Sequence, residues 1–286
     1  METNTVSYTV NGQTRTRTET RYHNDKAVII RRVVNLIGQK ATLVPGMYVY
    51  PFKFKLDDNV PGSISYGSGS NSGKIVYKVK TEVVRPGIFI SNIKHTQVIQ
   101  VCERVLGPIT SLQAMKEANV SRFCCVDMGE LVCSAILDKS AYSPGDEAKL
   151  VIAVDNTASD ITLKHVSFKL VNKIHLRARS YTQDFRVSTC KNRAPGIPKG
   201  DTAHIDFTLK IPSNLDPSTS GTLVRSNYDF EVVFSVPWGS DIVVNLPVKI
   251  FAPVPTNYIE NMEYPSDVPP QYQETVDIQP EMFQKY

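Results

Sequence analysis

The residues nearest to a nucleotide-binding pattern form a glycine-rich run from Gly67 to Lys74. A phosphate-binding loop would need glycine at position 68, where the chain has Ser68, and a helix after the lysine, so that backbone N–H groups face the phosphate. The residues after Lys74 instead alternate between apolar and polar types, as a strand does. We therefore interpret the run as a flexible hairpin connection.

The histidines and cysteines form no catalytic or metal-binding pattern either. The five histidines are dispersed, with no His-Glu-x-x-His, and the chain has no Gly-x-Ser-x-Gly nucleophile elbow. The five cysteines contain no Cys-x-x-Cys pair, and Cys124-Cys125 has no linked histidine or aspartate in the sequence. We predict buried reduced thiols, no catalytic residue, no metal and no cofactor, in a protein that is not an enzyme.

A proline motif near the C terminus has a recognition chemistry of its own. Pro269, Pro270 and Tyr272 form a Pro-Pro-x-Tyr sequence in a proline-rich, acidic stretch of little periodicity. Adjacent prolines favour a polyproline II conformation, so their rings can lie in an aromatic-lined groove while the tyrosine enters a neighbouring slot. This is how WW domains bind their ligands. The alternative is a proline-rich linker with an incidental tyrosine.

A basic stretch over residues 164–199 carries nine Lys or Arg residues against one acid, Asp184. It predicts a surface for phosphorylated receptor tails or anionic lipid headgroups. The candidate contacts are Lys169, Lys173, Arg177, Arg179 and Arg186. The alternative is the solvated face of an antiparallel sheet. We do not predict nucleic-acid binding, because aromatic residues are not interleaved with the charges as stacking platforms.

The length and composition restrict the class of protein. A chain of 286 residues with 41% hydrophobic residues can bury a core, which excludes wholesale disorder and fibrous repeats. No run reaches the roughly 18 apolar residues of a membrane span, and the first residues lack the basic and apolar regions of a secretory signal. We therefore expect a cytoplasmic protein.

The elements that must position these residues are strands. Nearly every segment alternates with period two and is rich in β-branched and aromatic residues, and turn clusters separate the segments at short intervals. These segments are Lys26 to Leu36, Tyr48 to Leu56, Lys74 to Val84, Leu131 to Leu137, Ala148 to Val154, Thr162 to Val171, His204 to Ile211, Tyr228 to Val236 and Asp241 to Phe251. Only Ile109 to Phe123 could form a helix. The pattern predicts an all-β sandwich protein.

An internal repeat indicates two such sandwiches in tandem. Six residues recur at a constant spacing of 155 residues, and Tyr77 recurs as Tyr228 at a spacing of 151. The six pairs are Phe52 and Phe207, Phe54 and Leu209, Leu56 and Ile211, Asn59 and Asn214, Val60 and Leu215, and Ser63 and Ser218. The alternative is a chance similarity between two strand–loop–strand units.

The repeat also indicates that the first copy is shorter at its start. In the second copy, the turn from Tyr142 to Glu147 lies well before the strand of Phe207. In the first copy only 51 residues precede Phe52, so the counterpart of that turn would lie before Met1. We expect the first sandwich to lack its opening strands.

These landmarks resemble the arrestin family. Phe52 to Leu56, followed by Pro61 and Ser63 and then by Gly73 to Val79, is similar to the central stretch of an arrestin N-terminal domain. The landmarks that resemble the C-terminal domain are Tyr142 to Glu147, Asp155 to Ser159, Ile211-Pro212, Asn227-Tyr228 and Leu246 to Ile250. The resemblance covers residues 6–252 and is closest to the alpha-arrestins, which are arrestin domain-containing trafficking adaptors. It departs from them at the N terminus, where the family has several further strands.

The resemblance implies two tandem immunoglobulin-like β-sandwiches, which is the arrestin fold. We expect an N-terminal domain over residues 1–122, incomplete at its start, a C-terminal domain over residues 123–252, and a disordered proline-rich acidic tail over residues 253–286.

The resemblance also implies a function. We expect a trafficking adaptor that links the tails of membrane receptor or transporter cargo to a WW-domain HECT-type ubiquitin ligase, for endocytosis and endosomal sorting. Such a protein would be cytoplasmic and recruited to the plasma membrane and endosomes, with an anionic membrane surface as a further partner. The alternative is a retromer-like, arrestin-fold scaffold subunit of an endosomal coat, with an inert tail.

Overall fold

The computed structural model describes residues 2–10, 13–37, 42–105, 107–122 and 126–252. These residues form sixteen strands and no helix, so they contain no helix able to cross a membrane. The strands are β1 (Glu2–Val10), β2 (Gln13–Arg21), β3 (Ile64–Ser68), β4 (Asn71–Ile75), β5 (Tyr77–Val83), β6 (Ile93–Ile99), β7 (Leu112–Arg122), β8 (Val126–Leu137), β9 (Ala141–Tyr142), β10 (Glu147–Asp155), β11 (His165–Ala178), β12 (Tyr181–Pro195), β13 (Thr202–Lys210), β14 (Thr219–Ser220), β15 (Val224–Ser235) and β16 (Ile242–Ile250).

The chain divides into two compact units, residues 1–25 with 61–253, and residues 26–60 with 254–286. All sixteen described strands belong to the first unit. The predicted domain boundaries after residues 122 and 252 stay predictions.

Two sheets of the first unit pack face to face as a β-sandwich. One sheet has the order β13-β10-β8-β7, and the other has the order β12-β11-β15-β16-β9, with β14 paired to β15. Phe168 and Phe230 of the second sheet lie 4.8 Å apart between ring centroids, and Phe168 lies 5.9 Å from Phe207 of the first sheet. Each such ring contributes about 1.5–3 kcal/mol when it is buried. The predicted all-β sandwich is confirmed.

The internal repeat recurs as a pair of identical tyrosine contacts. The Tyr228 hydroxyl donates to the Asp216 carbonyl at 2.8 Å, and the Tyr77 hydroxyl donates to the Pro61 carbonyl at 2.6 Å. Pro61 and Asp216 are separated by the same 155 residues as the sequence repeat. Burial raises the pKa of Tyr228 to about 12, so its hydroxyl stays protonated and keeps donating.

A serine in each copy makes the same two backbone contacts. The Ser218 N–H donates to the Ile250 carbonyl at 2.7 Å, and the Ile250 N–H donates to Ser218 Oγ at 2.9 Å. Ser63 and Val101 repeat this exchange at 2.7 and 3.0 Å. The repeat predicted from the sequence is therefore structural, because it reproduces hydrogen bonds as well as residue types.

The two repeated loops also contact each other inside the first unit. Thr219 Oγ1 donates to the Gly62 carbonyl at 3.1 Å. The Ser220 N–H and hydroxyl donate to the Glu103 carboxylate at 2.7 and 2.8 Å. These three hydrogen bonds therefore join Thr219 and Ser220 of the second copy to the Gly62 loop and to Glu103, which follows β6, in the first.

Two of the predicted strands, Lys26 to Leu36 and Tyr48 to Leu56, are not strands. Alternation determines which side chains share a face, but a strand also needs a neighbour for its backbone N–H and carbonyl groups, and neither segment is paired into a described sheet. The Arg32 side chain links the two segments instead, by donating to the Lys55 carbonyl and to the Asp57 carboxylate. The other predicted segments are confirmed as strands or parts of strands.

The helix considered for Ile109 to Phe123 is wrong, because the chain forms strand β7 over Leu112–Arg122. Its alanine, methionine, lysine and glutamate residues favour helix, but pairing with β8 satisfies the backbone and overrides that preference. The glycine-rich run is a hairpin, as predicted, and Gly69 with a φ of 56° lies in its turn between β3 and β4.

We predict that Tyr228→Phe lowers the free energy of unfolding by about 1–2 kcal/mol, since the Asp216 carbonyl and the Asn172 amide lose a buried partner. Urea-induced unfolding measures the change. Tyr48→Phe is the matched control, because Tyr48 donates to the Val44 carbonyl at 2.8 Å on an exposed segment where water can replace it, and it should cost less than about 0.5 kcal/mol. Equal losses in the two variants would contradict the role of the buried tyrosine contact.

Candidate functional site

The five cations predicted to contact phosphate or lipid lie on one hairpin. Lys169, Lys173 and Arg177 are on β11, Arg179 is in the turn, and Arg186 is on β12. Side chains alternate along a strand, so the three β11 cations share one face, and the ladder places Arg186 directly opposite Lys173. That face is turned away from the sandwich core, and we call it the outer face.

Two acids from another strand neutralise part of this charge. Glu231 of β15 has a side chain only 2% exposed, and it accepts from Lys169 Nζ at 3.2 Å and from the Arg186 guanidinium. Asp229, also on β15, pairs with Lys173. Three of the five predicted cations therefore hold cross-strand ion pairs on the outer face.

The sequence count missed these partners because they lie 45 to 62 residues further along the chain than the cations they bind. A local signal for them exists. Asp229 and Glu231 alternate with Tyr228 and Phe230, which places two carboxylates on the face opposite the buried aromatic rings.

Arg177 and Arg179 stabilise the turn between β11 and β12. Arg179 has a φ of 58°, which is the left-handed conformation, and its carbonyl accepts from Arg177 Nε at 3.1 Å. The Arg179 N–H donates to Asp25 Oδ2 at 2.9 Å. The hydrogen bonds described for Arg177 and Arg179 thus stabilise the fold of the chain itself.

A second group of cations surrounds His165 at the opposite end of β11. The pKa of His165 is lowered first by desolvation and then by the positive charges of Arg193 and Lys191, with Asp241 acting in the opposite direction. The Lys164 ammonium lies 5.8 Å from the centroid of the Trp238 ring. Lys191 lies opposite Lys169, in the same row as Glu231, whereas Lys164 and Arg193 lie nearer the His165 end of the sheet, beyond the two acids of β15.

A shallow cavity of about 440 Å³ lies at the other end of the outer face, and its lining includes Lys173, His175, Asp184, Arg186 and Arg225. His175 Nδ1 lies 2.7 Å from the Asp184 carboxylate. An anion could enter this cavity only in competition with the carboxylates already paired there. The geometry therefore favours anion binding near Lys191 and Arg193 over binding at Lys173 and Arg186.

The described cysteines show mixed environments. Burial raises the pKa of Cys133 to about 12 and also raises the pKa of Cys190. The prediction of buried thiols is confirmed for Cys133 and wrong for Cys102, which is exposed, while Cys124 and Cys125 lie outside the described residues. Within the described ranges no three His, Cys, Asp or Glu side chains cluster as metal ligands.

The predicted WW-binding residues Pro269, Pro270 and Tyr272 also lie outside the described residues. The structure places the last described strand, β16, at Ile242–Ile250. The motif thus begins 19 residues after the end of that strand.

Comparison with known protein families agrees with this architecture. The family model of the arrestin (or S-antigen) N-terminal domain matches residues 1–106, and that of the arrestin C-terminal domain matches residues 127–255. The chain belongs to the arrestin family.

Among individual proteins, the chain is similar to arrestin domain-containing protein A of Dictyostelium discoideum, with 26% identity over 236 residues. The match covers 81% of this chain and 40% of that protein, so the chain spans about two fifths of its length. The sporulation control protein Spo0M of Bacillus subtilis is a similar solved structure, with 18% identity, a TM-score of 0.35 and coverage of 42% of this chain and 49% of that chain. No structural conclusion follows from a score at that level.

We predict that Glu231→Gln lowers the free energy of unfolding by about 1–2 kcal/mol, because Lys169 and Arg186 lose a carboxylate that is shielded from water. Thermal or urea unfolding measures the loss. Asp184→Asn is the control, since that carboxylate is 75% exposed and its pairing with His175 should contribute less than about 0.5 kcal/mol. A neutral effect of Glu231→Gln would show that the ion pairs do not hold β11, β12 and β15 together.

Proposed function

We propose that the protein is a non-enzymatic, arrestin-like adaptor that links membrane protein cargo to a WW-domain HECT-type ubiquitin ligase. The observation that carries the proposal is the Pro-Pro-x-Tyr sequence at Pro269, Pro270 and Tyr272 in a chain whose preceding residues form arrestin domains. Membership of the arrestin family supports an adaptor role, and the motif supplies the chemistry for a WW domain.

The short separation between motif and fold supports this arrangement. Sixteen residues lie between Ala252 and Pro269, which makes seventeen steps of at most about 3.5 Å each, so the motif lies within about 60 Å of Ala252. A ligase held inside a sphere of that radius has an effective concentration of about 2 mM or more. Such a tether would raise the rate of cargo ubiquitylation without any direct contact between ligase and cargo.

The outer face is the proposed surface for an anionic cargo tail or a lipid headgroup. Lys169, Lys173 and Arg186 would have to exchange Glu231 and Asp229 for the new anion. The exposed cations around His165 create a positive field there, and their charges add to the desolvation that lowers the pKa of that histidine. We therefore place the first encounter with an anionic tail at the His165 end.

The proposed site of action follows from the partners. Cytosolic tails of receptors or transporters and a ubiquitin ligase meet at the plasma membrane and at endosomes, so a cytoplasmic adaptor would be recruited to both. The retromer-like scaffold is the alternative, and it requires a constant stoichiometry in a coat assembly and no effect from the loss of residues 253–286.

We predict that Tyr272→Ala lowers the affinity of the full chain for an isolated WW domain by at least about tenfold, because the tyrosine slot is left empty while the proline groove is still filled. Calorimetric titration or pull-down measures the loss. Tyr264→Ala is the matched control, since Tyr264 lies in the same tail and is followed by a single proline. Binding that survives Tyr272→Ala, or that falls equally with Tyr264→Ala, would refute ligase recruitment through this motif.

A further inference from the structure

The hairpin of β5 and β6 ends in an apolar tip that faces solvent. In the loop between the strands, Ile88 is 95% exposed, Phe89 is 98% exposed and Ile90 is 50% exposed. We call these three residues the apolar tip. Soluble proteins seldom expose consecutive large apolar side chains so fully, and where they do, the patch marks a site of protein or membrane contact.

The base of this loop is braced by polar side chains. Arg85 Nε donates to the Ser91 carbonyl at 2.9 Å, and the Arg85 N–H donates to Asn92 Oδ1 at 3.1 Å. Asn92 Nδ2 in turn donates to Glu82 Oε1 at 2.6 Å. These hydrogen bonds fix the base of the loop, so the apolar side chains are already held in their exposed position. Little conformational entropy is therefore lost when the tip binds.

The strands below the tip are basic. Residues 76–99 contain four cations, Lys78, Lys80, Arg85 and Lys94, against one acid, Glu82. Glu82 is held by Lys94 at 3.2 Å and by Asn92, and these hydrogen bonds lower its pKa, so it stays ionised and paired. An excess of three positive charges therefore lies beside the apolar tip, and it complements an anionic surface.

The spacing of the two features matches the depth of a lipid interface. Interfacial segments bury apolar side chains about 5–10 Å into the boundary between headgroups and acyl chains, with cations at the level of the headgroups. Arg85 lies three residues before Ile88, so it is at most about 10 Å from the tip along the chain, whereas Lys80 lies eight residues before Ile88. The Arg85 side chain is therefore at the height of the headgroups when the tip is at the acyl boundary, and Lys80 lies further back, where its charge acts at a distance.

We propose that Ile88, Phe89 and Ile90 insert into an anionic lipid bilayer, with Arg85 at the level of the headgroup phosphates and Lys78 and Lys80 attracting the anionic surface from further back. The charge of the hairpin favours a lipid surface over an apolar protein groove, because three excess cations beside a protein groove would need matching acids on the partner. This membrane anchor is separate from the tail motif and does not depend on ligase recruitment.

The first test is flotation of the full chain with vesicles of phosphatidylcholine, with and without phosphatidylserine. We expect binding only to the vesicles that contain phosphatidylserine, and a loss of at least about tenfold in partitioning for Ile88→Ser/Phe89→Ser. Lys78→Gln/Lys80→Gln should weaken binding measurably, by at most about fivefold for each lysine, because both lie back from the surface. Met47→Ser is the control, because Met47 is 93% exposed but lies outside this hairpin, and it should bind as the parent does.

A second test locates the inserted residue. Phe89→Trp in a Trp238→Phe background places a single tryptophan at the tip, because the chain has only one tryptophan. Brominated acyl chains should quench its fluorescence and should quench the parent Trp238 less. The proposal is overturned if the tip variants float like the parent, if the parent does not float at all, or if the tip tryptophan is not quenched. WW-domain affinity, measured on the same variants, stays unchanged in either case and so separates this proposal from ligase recruitment.

Discussion

The double pairing of β11, with β12 on one side and β15 on the other, is the constraint on which the rest of the sandwich depends. The register places Phe168 in the core and its neighbour Lys169 on the outer face, where it meets Glu231. A slip of one residue would exchange the two faces, burying Lys169 and exposing Phe168. The hydrophobic core and the ion pairs thus specify the same register, and a slip of the strand would disrupt both.

The same pairing determines where positive charge is available. Asp229 and Glu231 come from β15, so the basic stretch of β11 and β12 is partly neutralised at its centre. Positive charge remains concentrated near His165 and on the β5–β6 hairpin, which are different parts of the first compact unit. The net charge counted over residues 164–199 therefore overstates the charge of the sheet, because the acids that neutralise it lie on a neighbouring strand from a distant part of the sequence.

Sequence patterns predicted much of the fold, because alternation of apolar and polar residues is a local signal and a repeat is found by comparing the chain with itself. The period-two segments predicted most strands, and the structure extends the 155-residue repeat to Pro61 and Asp216, which accept equivalent tyrosine hydrogen bonds. Pairing partners were not predictable in the same way. Alternation in Lys26 to Leu36 could not show that the segment has no strand neighbour, and helix-favouring residues in β7 could not show that β8 would pair with it. The partners of Lys169 and Lys173 were missed because no count within 164–199 includes β15.

The proposed adaptor role and the proposed membrane anchor together require that one chain joins a membrane surface to a WW-domain ligase. A protease site introduced between residues 253 and 268 allows the connection to be cut after assembly, and flotation with phosphatidylserine vesicles then measures whether a labelled WW domain travels with the membrane. We expect the WW domain to float with the intact chain and to be released on cleavage, while the folded part stays on the vesicles. A WW domain that still floats after cleavage, or that never floats with the intact chain, would contradict it.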